Sequence, residues 1–250
     1  MSQQDTSAKA EPLIEVIEKP EDIASGFNCV AEAFGRQARD AFWISMNPGW
    51  DTPDGRTLAA ARMIEQWRAT TTNKDGNPNT VFLKATVSDP DGRKVIAGIA
   101  IWGQLSVVEG CGDRPSDDLR STLNLEALYP GNEPEQRYLC QFYRSFMKRR
   151  VEVVREKETS QPPSLMHLQL CAVDPAFQRR GIALKLVQWG LEEARRRGDL
   201  EATTEASIMG RHVYARLGFR GEGQDIEYEV DLQFKHRDRP ANLFMRTGSH

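Results

Sequence analysis

No run of this chain is apolar for the roughly 20 residues that a bilayer-spanning helix needs, so no membrane association is expected. Neither sign of charge prevails: 33 Lys and Arg face 36 Asp and Glu, a net charge of −3. That balance argues against a broad basic surface for nucleic acid or anionic lipid. Cysteine is scarce and scattered. Cys29, Cys111, Cys140 and Cys171 form no C-x-x-C pair, which speaks against structural zinc or any other metal and for reduced thiols in the cytoplasm. Also missing are the G-x-x-x-x-G-K-[ST] and G-x-G-x-x-G loops, which removes the usual grounds for ATP or NAD. Ser207 has no His and Asp at recognisable spacing, so a serine nucleophile is not indicated. No internal repeat is visible. At 250 residues the chain can bury a substantial core without disulfide staples.

What is present alternates between strand and helix periods. "PLIEVIEK" reads as a first strand, and "PEDIASGFNCVAEAFGRQ" spaces Ile23, Phe27, Val30 and Phe34 as a helix with an acidic start. "WISMNPGWDTPDG" reads as a loop. "RTLAAARMIEQWRATT" follows as an amphipathic helix with Leu58, Met63, Ile64 and Trp67 on its apolar side. "TVFLKATVSD" and "KVIAGIAIWGQ", joined through Asp-Gly, predict an antiparallel hairpin. Residues 105–163 then read as an insertion carrying one long helix, placed to cover a site or meet a partner. "SLMHLQLCAV" restores a strand, "GIALKLVQWGLEEARRRG" a helix, "LEATTEAS" a strand and "SIMGRHVYARLG" a last helix. A terminal strand pair is expected in "FRGEGQDIEYEVDLQFK". The organisation is thus a disordered lead-in over 1–11, a single mixed α/β domain over 12–234 and a polar tail over 235–250, its "RTGSH" partly an expression-tag remnant. Arg195–Arg197 and Lys148–Arg150 read as solvated helix faces.

The sharpest local signal is "DPAFQRRGIALKLV". Small residues at Gly181 and Ala183 leave backbone N–H groups bare at a helix start, where the dipole favours an anion such as a diphosphate. Arg179 and Arg180 add charge. A plain turn is the alternative reading of these residues.

The stretch "LCAVDPAFQRRGIALKLV" resembles the acyl-donor motif of the GNAT N-acetyltransferase superfamily, Gln/Arg-x-x-Gly-x-Gly/Ala after a core strand, with Gln178, Gly181 and Ala183 in the patterned positions. Downstream, "VYARLGF" is similar to the Tyr-x-x-x-Gly-Phe signature ending the last helix. The two together cover roughly residues 165–222, and the long loop and insertion most resemble fungal members. The resemblance implies an acyl-CoA N-acyltransferase fold, a mixed central sheet flanked by helices, with a helical insertion before the CoA-binding strand. It implies acetyl-CoA as co-substrate, held by Leu170, Cys171, Ala172 and Val173 along the strand and by Gln178, Arg179, Arg180, Gly181, Ile182 and Ala183 in the turn. Tyr214 would contact the donor and protonate the departing thiolate, and the Cys171 amide would hold the oxyanion. His167 stands where histone-acetylating members carry a glutamate, and an imidazole can serve as base near neutrality. For each residue a packing role stays open: Cys171 as a small strand residue, His167 as a satisfied interior histidine, Tyr214 as helix core. Phe42, Trp43, Trp50 and Trp102 are candidates for an acceptor pocket, with core packing as the alternative. The expected activity is transfer of an acetyl group to the primary amine of a small molecule, by a monomer or homodimer. Acetylation of protein amines and a silent acyl-CoA-binding module are the rivals.

Overall fold

The computed structural model describes residues 11–89 and 91–248. The expected lead-in, apart from Glu11, and the last two residues of the expected tail lie outside the described residues. Strand β1 (Leu13–Val16) leads to helix α1 (Pro20–Val30), which starts with Pro20 and with Glu21 and Asp22 in its first turn. These choices suit a helix N-terminus, because proline lacks an amide that would go unused and carboxylates meet the positive end of the dipole. The helix widens without a break into a π-helical stretch, Ala31–Gln37, and the chain turns off at Arg39, whose φ is 48°.

The segment expected to be a loop opens with a short helix, α2 (Ala41–Met46), because the Asp40 carboxylate accepts from the Trp43 amide and caps it. Helix α3 (Pro53–Arg68) is capped likewise by Thr52. Its Leu58 is 64% exposed, so the apolar side of this helix is carried by Ala59, Ala60, Met63, Ile64 and Trp67 instead. The predicted hairpin forms as β2 (Thr80–Ser88) and β3 (Lys94–Leu105). The stretch expected to be an insertion holds α4 (Leu125–Leu128) and the long helix α5 (Glu133–Glu156). Then come β4 (Leu165–Val173), α6 (Ile182–Arg196), β5 (Glu201–Ser207) and α7 (Arg211–Arg216).

The end of the chain departs from expectation. Of the strand pair expected over 219–235, only β6 (Arg220–Gly221) forms, and its partner is β7 (Asn242–Arg246), within the stretch read as a polar tail. Ile226, Tyr228 and Val230 alternate as in a strand, but Tyr228 and Val230 pack on the aromatic cluster of Tyr138, Phe142 and Phe234 rather than joining a ladder.

Among the described residues seven strands form one mixed sheet in the order β1-β2-β3-β4-β5-β7-β6, in which only β4 and β5 run parallel. Helices α1, α3 and α5 cover one face and α6 and α7 the other. The apolar stripe of α6, including Ile182, Leu186 and Val187, settles over Trp102, which is wholly buried. Gly190 permits this approach, since a Cβ there would lie 2.0 Å from the Trp102 indole. Trp102 therefore belongs to the core beneath α6 and lines no acceptor pocket. Trp43 is buried as well, in the cluster between α1 and the sheet. Among the described residues no helix is long and apolar enough to cross a membrane.

Candidate active site

Two irregularities in β4 create the site. The first is the loss of its neighbour: β4 and β5 pair only from Leu165↔Glu201 to Leu168↔Thr204. Past Leu168 the two strands have no pairing between them, so the β5-facing backbone of Gln169 to Val173 has no strand partner on that side. Buried or half-buried peptide groups need partners. A ligand with amide groups of its own can supply them.

The second is a bulge. Across the β3–β4 ladder the register slips between Ile101 and Trp102, which leaves Gln169 as the extra residue on β4. An extra residue reverses the alternation of side chains beyond it. Met166 and Leu168 face α6 before the bulge, and Cys171 and Val173 face it afterwards, while Leu170 and Ala172 turn to α1 and α3. A regular strand would place His167 and Cys171 on one face. The bulge puts them on opposite faces, and the structure does not bring those two side chains together.

On the α6–α7 face, Cys171 meets Tyr214. Burial, with the Cys171 thiol nearby, pushes the Tyr214 hydroxyl well above the ordinary tyrosine range, so it stays protonated. Burial likewise pushes the Cys171 thiol up to about 12, which leaves no thiolate to act as nucleophile at neutral pH. The Tyr214 ring sits 5.8 Å from Phe219 and against Gly210.

The turn after β4 shapes the other end. Asp174 caps a short 3-10 turn at Pro175–Phe177. Arg179 has a φ of 61° and Gly181 one of 78°, the latter acting as N-cap of α6. Among the described residues no side chain caps this helix, and none lies within 4 Å of where a Gly181 Cβ would stand. The first amides of α6 thus open onto clear space with the positive dipole end behind them, an arrangement that accepts phosphate oxygens. Arg180 lies over the Phe177 ring at 5.1 Å, and Arg179 is exposed. The residues present therefore fit a nucleotide diphosphate.

On the opposite face, His167 is completely buried. Its Nδ1 lies 2.8 Å from Thr203 Oγ1, and its Nε2 is 3.1 Å from Glu205 Oε2 without the alignment of a hydrogen bond. Burial and the charge of Arg150 lower its pKa against the opposing pull of Glu205, so the ring is neutral at pH 7. Glu205, its side chain 2% exposed, receives both Nε and Nη2 of Arg150. Burial alone would raise its pKa. The charge of Arg150 and the contact with His167 overrule that and hold it at about 2. Phe42, Tyr143, Phe146 and Tyr228 stand half-buried on the same side, with Phe42 stacked 4.6 Å from Phe146.

Arg150 and Glu205 escape a reading of the sequence. Arg150 looks like one cation among three on a solvated helix, yet its side chain is only 11% exposed. Arg197, read the same way, is 1% exposed and binds Glu193, the Pro78 carbonyl and Gln104. The only early hint for Glu205 is an acidic residue inside an otherwise small and apolar strand.

A parallel pair that parts in mid-sheet, facing bare amides and a protonated phenol, leaves a cleft whose chemistry suits a phosphorylated thioester. The family model of the GNAT acetyltransferase domain matches residues 136–230, which takes in α5, β4, the turn, α6, β5 and α7. That segment of the chain is thus similar to a GNAT acetyltransferase domain. Among solved structures, an agmatine N-acetyltransferase superposes with a TM-score of 0.57 at 13% identity, over 95% of this chain and 98% of that one. Arylalkylamine N-acetyltransferase 2 from Aedes aegypti gives 0.53 at 18%, over 95% and 98%. A polyamine N-acetyltransferase from Drosophila melanogaster gives 0.51 at 11%, over 94% and 97%. At these identities the likeness is one of fold. No curated protein matches the sequence.

Proposed function

We propose that the protein moves an acetyl group from acetyl-CoA to the primary amine of a small molecule by direct attack through a tetrahedral intermediate. The observation that carries this reading is the parting of β4 from β5 beyond Leu168, on the face shared by Cys171 and Tyr214. The pantetheine arm takes the unpaired edge of Leu170, Cys171, Ala172 and Val173. The diphosphate rests on the amides between Gln178 and Ala183, with Arg179 and Arg180 beside it. The amine nitrogen bonds to the thioester carbonyl carbon, and the Cys171 amide steadies the oxyanion that results. Collapse breaks the C–S bond, the Tyr214 hydroxyl gives its proton to the leaving sulfur, and the proton shed by the new amide nitrogen passes through solvent to restore the phenol.

An alkylammonium of pKa near ~10 must lose a proton before attack, at roughly 4 kcal/mol at neutral pH. The acceptor face offers neutral His167 as base, held between Thr203 Oγ1 at 2.8 Å and the Glu205 carboxylate at 3.1 Å. Phe42, Tyr143, Phe146 and Tyr228 form the wall on which the body of the amine would rest. The names of the fold relatives guide the choice of acceptors.

The test is release of free CoA thiol with agmatine, polyamines, arylalkylamines and lysine peptides. Turnover with one or more small amines, and none with peptides, is the expected result. Acetyl-CoA that binds but yields no thiol with any acceptor sinks the proposal. Tyr214→Phe should reduce kcat roughly a hundredfold and leave the acetyl-CoA Kd within twofold, as loss of a general acid does. An unchanged kcat removes Tyr214 from the chemistry.

A further inference from the structure

Gln178 does more than occupy a patterned position in the turn. Its Nε2 donates to the Val173 carbonyl at 3.0 Å and to Gln37 Oε1 at 2.8 Å, while its Oε1 accepts from Gln37 Nε2 at 3.0 Å. The two carboxamides thus face each other in a doubly bonded pair across 141 positions of sequence. Every hydrogen-bonding group of the Gln178 carboxamide is used, which fixes its orientation.

Gln37 is the last residue of the π-helical stretch, and that stretch belongs to the layer on the acceptor face. Phe34 stacks on Trp43 at 6.3 Å, and Gly35 lies flat against the Trp50 ring. π-Helical turns cost hydrogen-bond quality and gather at functional sites. Here the wider turn ends on a residue that reaches the opposite lip of the donor turn. Left-handed backbone flanks the contact on both sides: Arg39, two residues beyond Gln37, and Arg179, next to Gln178, both adopt it. For side chains with a Cβ this is unfavourable and persists only where the surroundings hold it.

We propose that Gln37 is a positioning residue for the acyl donor, holding Gln178 and the turn from Arg179 to Gly181 in the conformation that receives the diphosphate. It acts from the acceptor-side helical layer and touches neither reacting group. The inference rests on the donor site assigned above.

The experiment measures acetyl-CoA binding by calorimetry for the full chain carrying Gln37→Ala or the near-isosteric Gln37→Met, together with Gln178→Met and the double variant. Two exposed hydrogen bonds predict about a fivefold weaker Kd for either Gln37 variant. The thermal midpoint without donor should stay within about 2 °C, as is usual for surface positions. Saturating donor should restore kcat, so the loss appears in the KM for acetyl-CoA. In the double variant the Gln37 change should add nothing beyond Gln178→Met. Wild-type Kd in both Gln37 variants, or full additivity in the double variant, overturns the inference. A fall in thermal midpoint that accounts for the weaker binding also overturns it. If the wild-type protein itself fails to bind acetyl-CoA, the donor-site assignment is what has failed.

Discussion

Gly181 tests the donor turn most directly. Its φ of 78° suits glycine, and its missing Cβ would point into open space rather than into the protein. Gly181→Ala should therefore fold, at a cost of about 1 kcal/mol for the left-handed backbone. Its acetyl-CoA affinity should fall at least tenfold in calorimetry, because the methyl group would stand where phosphate oxygens approach. Near-native affinity would show that the diphosphate does not sit there. This residue and Tyr214 stand out in the sequence because each belongs to a short motif whose residues are neighbours in the chain. Glu205, Arg150 and Gln37 were not. Their partners lie 55 to 141 positions away, and no periodicity announces which of several similar side chains will meet. His167 was singled out by its distance from Cys171, a distance that the bulge at Gln169 turns into a separation across the sheet.

Helix α5 and strand β5 are joined by charge as well as by packing. Besides Arg150 with Glu205, Lys157 and Arg246 hold Glu201, whose side chain is 1% exposed. Removing one partner of a buried pair leaves the other charged in a poor solvent. Glu205→Gln should thus destabilise the fold by about 3 kcal/mol at pH 7, read by urea unfolding. Because the carboxyl titrates at about 2 in the folded state, below the ordinary 4.5, its contribution is complete above pH 4.5 and disappears as pH falls toward 2. The gap between wild type and variant should close over that window. A gap independent of pH would mean that shape, not charge, makes the difference. At this scale the reading of the sequence succeeded where periodicity was strong, as in the hairpin of β2 and β3, α5 and α6. It failed at α2, where one capping aspartate makes a helix of six residues, and over 224–231, where a strand-like alternation serves to bury Tyr228 and Val230.

At the scale of the whole molecule the telling feature is β7. It pairs with β5 from Thr203↔Arg246 to Ser207↔Asn242 and carries β6 on its other side, so it is an interior strand despite its polar surroundings in sequence. "NLFMR" is short, and three apolar residues in a row after "KHRDRPA" give little to distinguish it from a tail. Deleting residues 242–248 should strip β5 of its neighbour and expose Phe244's place in the core, giving protein that aggregates on expression. A monodisperse, cooperatively melting product in size exclusion and calorimetry would contradict that expectation. The same placement sets an order of events at the ribosome. Until Asn242 through Arg246 emerge, the flank of β5 beside Glu201 and Glu205 stands open as an unpaired edge, the kind to which other nascent chains adhere. Holdase chaperones should therefore stay with this polypeptide until that strand has left the ribosome, and a chain stalled with the strand still inside should keep them bound.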